Sequence, residues 1–104
     1  MNRGLRLALK AARRSTHRRH AVGAVVLKGG AVLARAANGA RKGQCAERRS
    51  LHRGRFDDAT VYVARANGRC SKPCADCAAA LRAAGVRSVV YVGWDGSAME
   101  EVLV

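Results

Sequence analysis

The chain has 104 residues, the size of a single domain with one modest core, and we expect residues 1–104 to form one domain. Its net charge is +13, and residues 1–55 hold fifteen Lys and Arg against one acidic residue. This excess favours an anionic substrate or a polyanionic partner, although a proteome that is rich in arginine would also produce it. Without a long apolar run or a signal-like N-terminus, the chain is predicted to be cytoplasmic, with no membrane span.

The first part of the chain is predicted to form a helix followed by a β-hairpin. Apolar residues recur at helical spacing over 2–15, with arginines on the other faces. Two apolar strands, over 21–28 and 31–37, flank Gly29-Gly30, which is typical of a tight hairpin turn.

Helices and strands alternate in the rest of the chain. The predicted elements are a helix from 44 or 45 to about 53, a strand over 60–66, a helix over 74–84, and strands over 88–94 and 101–104. Pro73 suits the first turn of the helix over 74–84. Trp94 is interpreted as a core residue at a strand end, with stacking on a base as the alternative. This order of elements favours a sheet with helices packed on it.

Three cysteines and one glutamate form the pattern that carries chemistry. Cys45 precedes Glu47 by two residues, and Cys74 and Cys77 form a C-x-x-C pair directly after Pro73. In a cytoplasmic protein such cysteines favour metal binding, and three thiolates can hold zinc with its fourth position open to water. A carboxylate at Glu47 could move protons to and from that water. Histidine-x-Glu followed by Pro-Cys-x-x-Cys is typical of zinc nucleobase deaminases, and here Cys45 replaces the histidine.

A closed structural zinc site is the alternative interpretation of the same cysteines. Cys70 lies four residues before Cys74 and could supply a fourth thiolate. Such a site would leave no position for water and would therefore exclude catalysis. The presence of Glu47 favours the open site, because a purely structural site does not need that carboxylate.

The chain resembles the cytidine deaminase-like superfamily. The resemblance rests on Cys-Ala-Glu-Arg at 45–48 and Ser-Lys-Pro-Cys-x-x-Cys at 71–77, and it covers about residues 20–94. It implies a three-layer α/β/α fold with a mixed five-stranded sheet and a C-terminal antiparallel hairpin. It also implies zinc-dependent hydrolysis of cytosine to uracil with release of ammonia. Because small relatives are often dimers or tetramers, it further suggests a homo-oligomer.

The resemblance implies roles for several residues around the metal. Arg48 would contact the zinc-binding thiolates and tune their charge. The backbone N–H of Ala46 would face the base carbonyl oxygen, and the backbone carbonyl of Lys72 would accept the exocyclic amine. Asn38 matches an asparagine that touches the sugar in many relatives.

The chain departs from nucleoside-specific cytidine deaminases beside Asn38. Those enzymes carry Asn-x-Glu there, and the glutamate binds ribose hydroxyls, whereas this chain has Ala40 in its place. Arg41 and Lys42 follow directly. A free nucleoside therefore loses a partner, and a phosphate on the sugar gains two cations.

Three functions remain open on the sequence. The favoured one is deamination of cytosine in single-stranded nucleic acid, because of the charge in residues 1–55 and the missing sugar carboxylate. The first alternative is deamination of a free (deoxy)cytidine nucleotide or nucleoside, which fits the scarcity of aromatic residues. The second is a non-catalytic zinc module that binds nucleic acid. Adenine as the target base also stays open.

Overall fold

A mixed β-sheet with helices packed on it forms the core of the chain. The computed structural model describes residues 2–15, 21–38, 56–67 and 70–103. Its elements in chain order are α1 (Arg3–Ala12), β1 (Val22–Lys28), β2 (Ala31–Ala37), β3 (Thr60–Arg65), α2 (Ala75–Ala83), β4 (Ser88–Val92) and β5 (Ala98–Val102). The helix predicted near residues 44–53 lies outside the described residues.

The five strands form one sheet in the order β2-β1-β3-β4-β5. Strand β1 is antiparallel to both β2 and β3, β3 and β4 are parallel, and β5 returns antiparallel to β4. The predicted mixed five-stranded sheet with a C-terminal antiparallel hairpin is therefore confirmed.

Both faces of the central strands are buried, which explains their nearly continuous apolar sequences. Alternate residues point to opposite faces, so each strand contributes to two separate clusters. One cluster packs with Leu81 of α2, and its strand members are Ala24, Val26, Val61, Val63, Val89 and Tyr91. The opposite face packs against α1, with members that include Leu5, Ala8, Val25, Ala64, Val90 and Val92. The helices thus lie on opposite faces, and the three-layer α/β/α arrangement is confirmed.

Helix α1 lies unusually close to the sheet. Its N-cap, Asn2, accepts a hydrogen bond from the Leu5 N–H over 2.8 Å, which satisfies one of the helix's first amide groups. A Cβ atom at Gly23 of β1 would lie 2.1 Å from the Ala8 carbonyl oxygen and 2.3 Å from the Ala12 nitrogen. Only glycine therefore lets the helix backbone contact the strand here.

The ends of several elements differ from the predictions. Helix α1 is shorter than predicted, and α2 begins at Ala75 with Cys74 as its N-cap, so Pro73 precedes the helix rather than lying in its first turn. The last strand begins at Ala98, three residues earlier than predicted. The interpretation of Trp94 as a core residue is wrong, because β4 ends at Val92 and the indole is 92% exposed. Neither described helix is long and apolar enough to span a bilayer.

Candidate metal and substrate site

Two of the predicted metal-binding cysteines, Cys74 and Cys77, follow the carboxyl end of β3, one of the two parallel strands. In sheets of this kind, ligands bind in the crevice just beyond those strand ends. The chain leaves β3, returns at Cys70, and passes across the end of β4 before α2 begins. The segment that contains Ser71, Lys72 and Pro73 is thus the connection between the sheet and the C-x-x-C pair.

Ser71 fixes this connection to both parallel strands. Its hydroxyl donates to the Val63 carbonyl oxygen over 2.7 Å and accepts from the Val92 N–H over 2.8 Å. Its own N–H donates to the Val92 carbonyl oxygen over 2.9 Å. The side chain is 5% exposed, so these hydrogen bonds are shielded from water. The sequence motif contained Ser71, but its spacing gave no indication of this role.

Cys74 and Cys77 lie one turn apart at the start of α2. Cys74 is exposed, and its sulfur makes no capping hydrogen bond to the helix, whereas Cys77 is 1% exposed. None of the cysteines in the described ranges forms a disulfide. Two thiols on one helical turn, at a helix N-terminus that favours negative charge, fit the donor set that zinc prefers.

The other residues of the predicted site lie outside the described part of the chain. They are the predicted ligand Cys45, the predicted proton carrier Glu47, Arg48 beside them, and the predicted substrate contacts Ala46, Arg41 and Lys42. Residues 2–15, 21–38, 56–67 and 70–103 contain no group of three metal-ligating side chains by themselves. The described part of the chain thus supplies two of the three predicted thiolates, and the assignment of the third stays a prediction.

Cys70 does not join Cys74 and Cys77 in a three-thiol cluster, although all three lie in the described part of the chain. Cys70 is half-buried and lines a cavity together with Lys72 and Trp94, and neither Cys74 nor Cys77 is among the residues that line that cavity. This placement does not support the closed four-thiolate alternative.

Asn38 lies directly after β2, at the same end of the sheet as the carboxyl end of β3. Its Oδ1 accepts the Val22 N–H over 3.0 Å, and the Val22 carbonyl oxygen accepts the Asn38 N–H over 3.0 Å. The Ser15 hydroxyl donates to the Asn38 backbone oxygen over 2.9 Å and also contacts Oδ1. Asn38 therefore joins the ends of α1 and β2 to the start of β1, and its predicted contact with a sugar stays a prediction.

Lys72 lies between two buried residues, Ser71 and Pro73, and is itself exposed. Because its neighbours are packed against the sheet, the position of its backbone is well defined beside the start of α2. The prediction that its carbonyl oxygen accepts an amine concerns this same stretch of backbone. That role stays a prediction, since it depends on a bound substrate.

A basic surface lies on α1 and β2. Arg3, Arg6, Lys10 and Arg13 recur at helical spacing along one exposed stripe of α1. A small groove of about 100 Å³ lies between α1 and β2. Three cations line it: Lys10, which also belongs to the exposed stripe, Arg14 and Arg35. Residues 2–15 and 21–38 contain no acidic side chain, so this surface has no compensating carboxylate from its own elements.

Comparison with known proteins identifies the family. The sequence profile described as the cytidine and deoxycytidylate deaminase zinc-binding region matches residues 1–93. The chain belongs to this family of zinc deaminases. The predicted superfamily and the zinc cofactor are thereby confirmed. None of the curated proteins matches the chain.

Solved structures agree with this assignment. The apo dCMP deaminase of cyanophage S-TIM5 is 27% identical, with a TM-score of 0.69 over 89% of this chain and 82% of that chain. The cytidine deaminase of Burkholderia pseudomallei shares the fold, with a TM-score of 0.77 and 19% identity over 99% of this chain and 94% of that chain. Acinetobacter baumannii RibD is 27% identical with a TM-score of 0.62, and its similarity covers 83% of this chain but 26% of that longer chain.

Proposed function

We propose that the chain is a zinc-dependent hydrolytic deaminase that converts the cytosine of a nucleotide to uracil and releases ammonia. The observation that carries this proposal is the C-x-x-C pair at the start of α2, attached through Ser71 to the ends of β3 and β4, in a chain of the zinc deaminase family. We also propose a cytoplasmic location.

The proposed metal ligands are Cys45, Cys74 and Cys77. When bound, zinc supplies a Lewis acid that lowers the pKa of a water molecule to about 7. Glu47 would accept a proton from this water and pass it to a ring nitrogen, while the water oxygen bonds to the carbon that bears the amino group. It would then accept the proton of the new hydroxyl group and pass it to the amine, so that the C–N bond breaks and ammonia leaves. Arg48 partly neutralises the three thiolates, whose summed charge would otherwise weaken the metal as an acid.

The backbone orients the base in this proposal. The N–H of Ala46 donates to the base carbonyl oxygen, and the carbonyl oxygen of Lys72 accepts from the exocyclic amine. The attachment of Ser71 to two strands supports the role of Lys72, because it limits movement of the adjacent carbonyl group.

A free cytidine nucleotide, such as a deoxycytidylate, is the first proposed substrate. The 27% identity to an enzyme named as a dCMP deaminase supports it. Ala40 in place of the sugar-binding glutamate disfavours a nucleoside, while Arg41 and Lys42 offer two cations to a phosphate. Asn38 would contact the sugar from the end of β2.

Cytosine in single-stranded nucleic acid is the second proposed substrate. The basic surface of α1 and β2 supports it, because one or two cations suffice for a mononucleotide phosphate. Its groove is lined by residues 35–37 of β2, directly before Asn38, together with Lys10 and Arg14. Several neighbouring cations are what a phosphate backbone requires.

Replacement of Glu47 tests the enzymatic proposal. We expect Glu47→Ala to retain zinc, measured by atomic absorption, and to lose ammonia release on dCMP, cytidine and cytosine-containing single-stranded DNA and RNA assayed side by side. Glu101→Ala, which removes an exposed carboxylate on β5, serves as the matched control. Unchanged turnover in Glu47→Ala would contradict the proposal, as would a wild-type protein inactive on every substrate.

A further inference from the structure

The most exposed large apolar side chain described here is Trp94, at 92% exposure. It is also the only tryptophan of the chain. An indole offers one of the largest apolar surfaces of any side chain, and in water most of that surface contributes nothing to folding. Single apolar residues are often exposed on protein surfaces, so what distinguishes Trp94 is the cavity that it lines together with Lys72 and Met99.

Hydrogen bonds hold the turn that carries Trp94 in one conformation. The Asp95 carboxylate accepts from the Ser97 N–H over 3.0 Å and from the Ser97 hydroxyl over 2.6 Å. These bonds, that of the hydroxyl first, lower the pKa of Asp95 below its usual value. The Gly93 N–H donates to the Ser97 carbonyl oxygen over 2.8 Å and closes the turn. The backbone of the turn is thus fixed, and it carries the indole at the surface.

Trp94 forms one wall of a cavity of about 320 Å³. The lining residues are Cys70, Lys72, Tyr91, Gly93, Trp94, Asp95 and Met99. Met99 is 45% exposed and adds a polarisable thioether beside the indole. Lys72 provides a cation and Asp95 an ionised carboxylate, which accepts hydrogen bonds from Ser97. A flat apolar wall next to one cation is the combination that binds a nucleotide, because the base stacks and the phosphate pairs with the charge.

The cavity adjoins the metal-binding segment. Ser71 forms hydrogen bonds through its N–H and its hydroxyl to Val92, the last residue of β4, and Gly93 and Trp94 follow directly. Lys72 lines the cavity and lies two residues before Cys74. A group bound against Trp94 is therefore a neighbour of the target base rather than the target itself, since the reacting base must lie at the thiolates.

We propose that this cavity binds the nucleotide adjacent to the target cytosine in a single strand, with its base stacked on Trp94 and its phosphate near Lys72. This inference rests on the proposed deaminase function, and of its two proposed substrates it favours the second, cytosine in a single strand, over a free nucleotide. The net charge of +13 gives such a strand an attractive field as it approaches.

Intrinsic fluorescence tests the binding without any chemistry. We titrate the zinc-loaded protein with a short oligothymidylate, which contains no cytosine, and separately with dTMP. The oligothymidylate should quench Trp94 at a concentration at least tenfold lower than dTMP. Lys72→Met should weaken this binding and lower the slope of log affinity against log salt concentration by about 0.7. Lys28→Met removes the same charge at the opposite end of the sheet. It should change neither the affinity for the oligothymidylate nor the salt dependence of that affinity.

Kinetics test the effect on substrate choice. The measured quantity is the ratio of kcat/KM for the trinucleotide TCT to kcat/KM for dCMP. Loss of one stacked base in Trp94→Ala should lower this ratio by about tenfold, within the range known for base–aromatic stacking, and Trp94→Phe should restore most of it. Val102→Ala, which truncates another exposed apolar residue of the same hairpin, should leave the ratio unchanged.

The outcomes separate this inference from the proposed function. Deamination of dCMP with an unaltered ratio in Trp94→Ala would overturn the inference and leave the proposed function intact. Quenching that depends on Lys72 in a protein inactive on every substrate would support the binding site and overturn the proposed function. A shift of Trp94→Ala to a smaller species in size-exclusion chromatography, together with no quenching of the wild-type fluorescence by the oligothymidylate, would assign the indole to a protein interface and also overturn the inference.

Discussion

Ser71 and Val92 are joined by two hydrogen bonds, one through the Ser71 backbone N–H over 2.9 Å and one through its hydroxyl over 2.8 Å. The last parallel pair of β3 and β4 is Val63 with Tyr91, so Ser71 extends the contact between these strands by one further residue. Ser71 thereby attaches the segment that leads to the C-x-x-C pair to the ends of the two parallel strands, β3 and β4.

We expect Ser71→Ala to destabilise the protein and to weaken its metal site. The substitution leaves the Val63 carbonyl oxygen and the Val92 N–H without this partner, at a cost of about 1–3 kcal/mol. Urea unfolding measures the stability, and competition with a chelator measures zinc affinity.

Ser88→Ala is the matched control for Ser71→Ala. Its hydroxyl is also buried and donates to Glu100 Oε2 over 2.9 Å, but it lies at the opposite end of β4. It should lower the free energy of unfolding with no loss of zinc affinity. Equal losses of zinc affinity in the two variants would argue against a positioning role for Ser71.

We expect the cysteines to separate into ligands and a non-ligand. Cys45→Ser, Cys74→Ser and Cys77→Ser should each lower bound zinc well below one ion per chain, because zinc has only three protein thiolates in the proposed site. Cys70→Ser should retain zinc, since Cys70 does not cluster with Cys74 and Cys77 in the described structure. Metal analysis after dialysis measures the content. Loss of zinc in Cys70→Ser would instead favour the closed, non-catalytic site.

Two substitutions of Asn38 should separate its structural role from its predicted contact with a sugar. Asn38→Asp keeps an oxygen that can accept the Val22 N–H, whereas Asn38→Ala removes it and should cost about 1–2 kcal/mol of stability. If the side-chain amide also donates to the sugar, both variants should raise KM for dCMP. A normal KM in Asn38→Asp would limit Asn38 to the structural role.

The basic surface should determine how strongly binding to nucleic acid depends on salt. The triple variant Lys10→Gln, Arg14→Gln and Arg35→Gln removes the cations of the groove between α1 and β2. For single-stranded DNA, each lost phosphate contact lowers the slope of log affinity against log salt by about 0.7, so the slope should fall by about 2. Fluorescence anisotropy of a labelled strand at several salt concentrations measures it.

A charge-matched variant controls for the general loss of positive charge. Lys28→Gln, Arg82→Gln and Arg87→Gln removes three exposed cations elsewhere on the chain. It should preserve most of the salt dependence. Similar slopes in the two triple variants would mean that the groove is a solvated basic face and contributes no specific contacts.

The sequence predicted the features that depend on local patterns. The alternation of helices and apolar strands, the Gly29-Gly30 hairpin and the C-x-x-C pair at a helix start all depend on spacing within one segment. For the same reason the family could be inferred from two short motifs, and the match over residues 1–93 confirms it.

Features that depend on contacts between segments could not be predicted in this way. Strand β5 contains Glu100 and Glu101, residues with low β propensity, and it forms because β4 supplies its hydrogen bonds. The hairpin turn between β4 and β5 exposes Trp94, whereas a strand continuing to that residue would have placed it beside the core. The bonds of Ser71 join three segments, and nothing in its immediate sequence indicates them.

The close seating of α1 on Gly23 has a practical consequence for protein engineering. Because the backbones of α1 and β1 are in direct contact here, the inner side of the helix sets its distance from the sheet, and Arg3 adds a hydrogen bond to the Gly30 carbonyl oxygen over 2.9 Å. Arg6 and Arg13 can therefore be replaced by neutral or acidic residues to tune solubility and chromatographic behaviour, provided that Gly23 and Arg3 are kept.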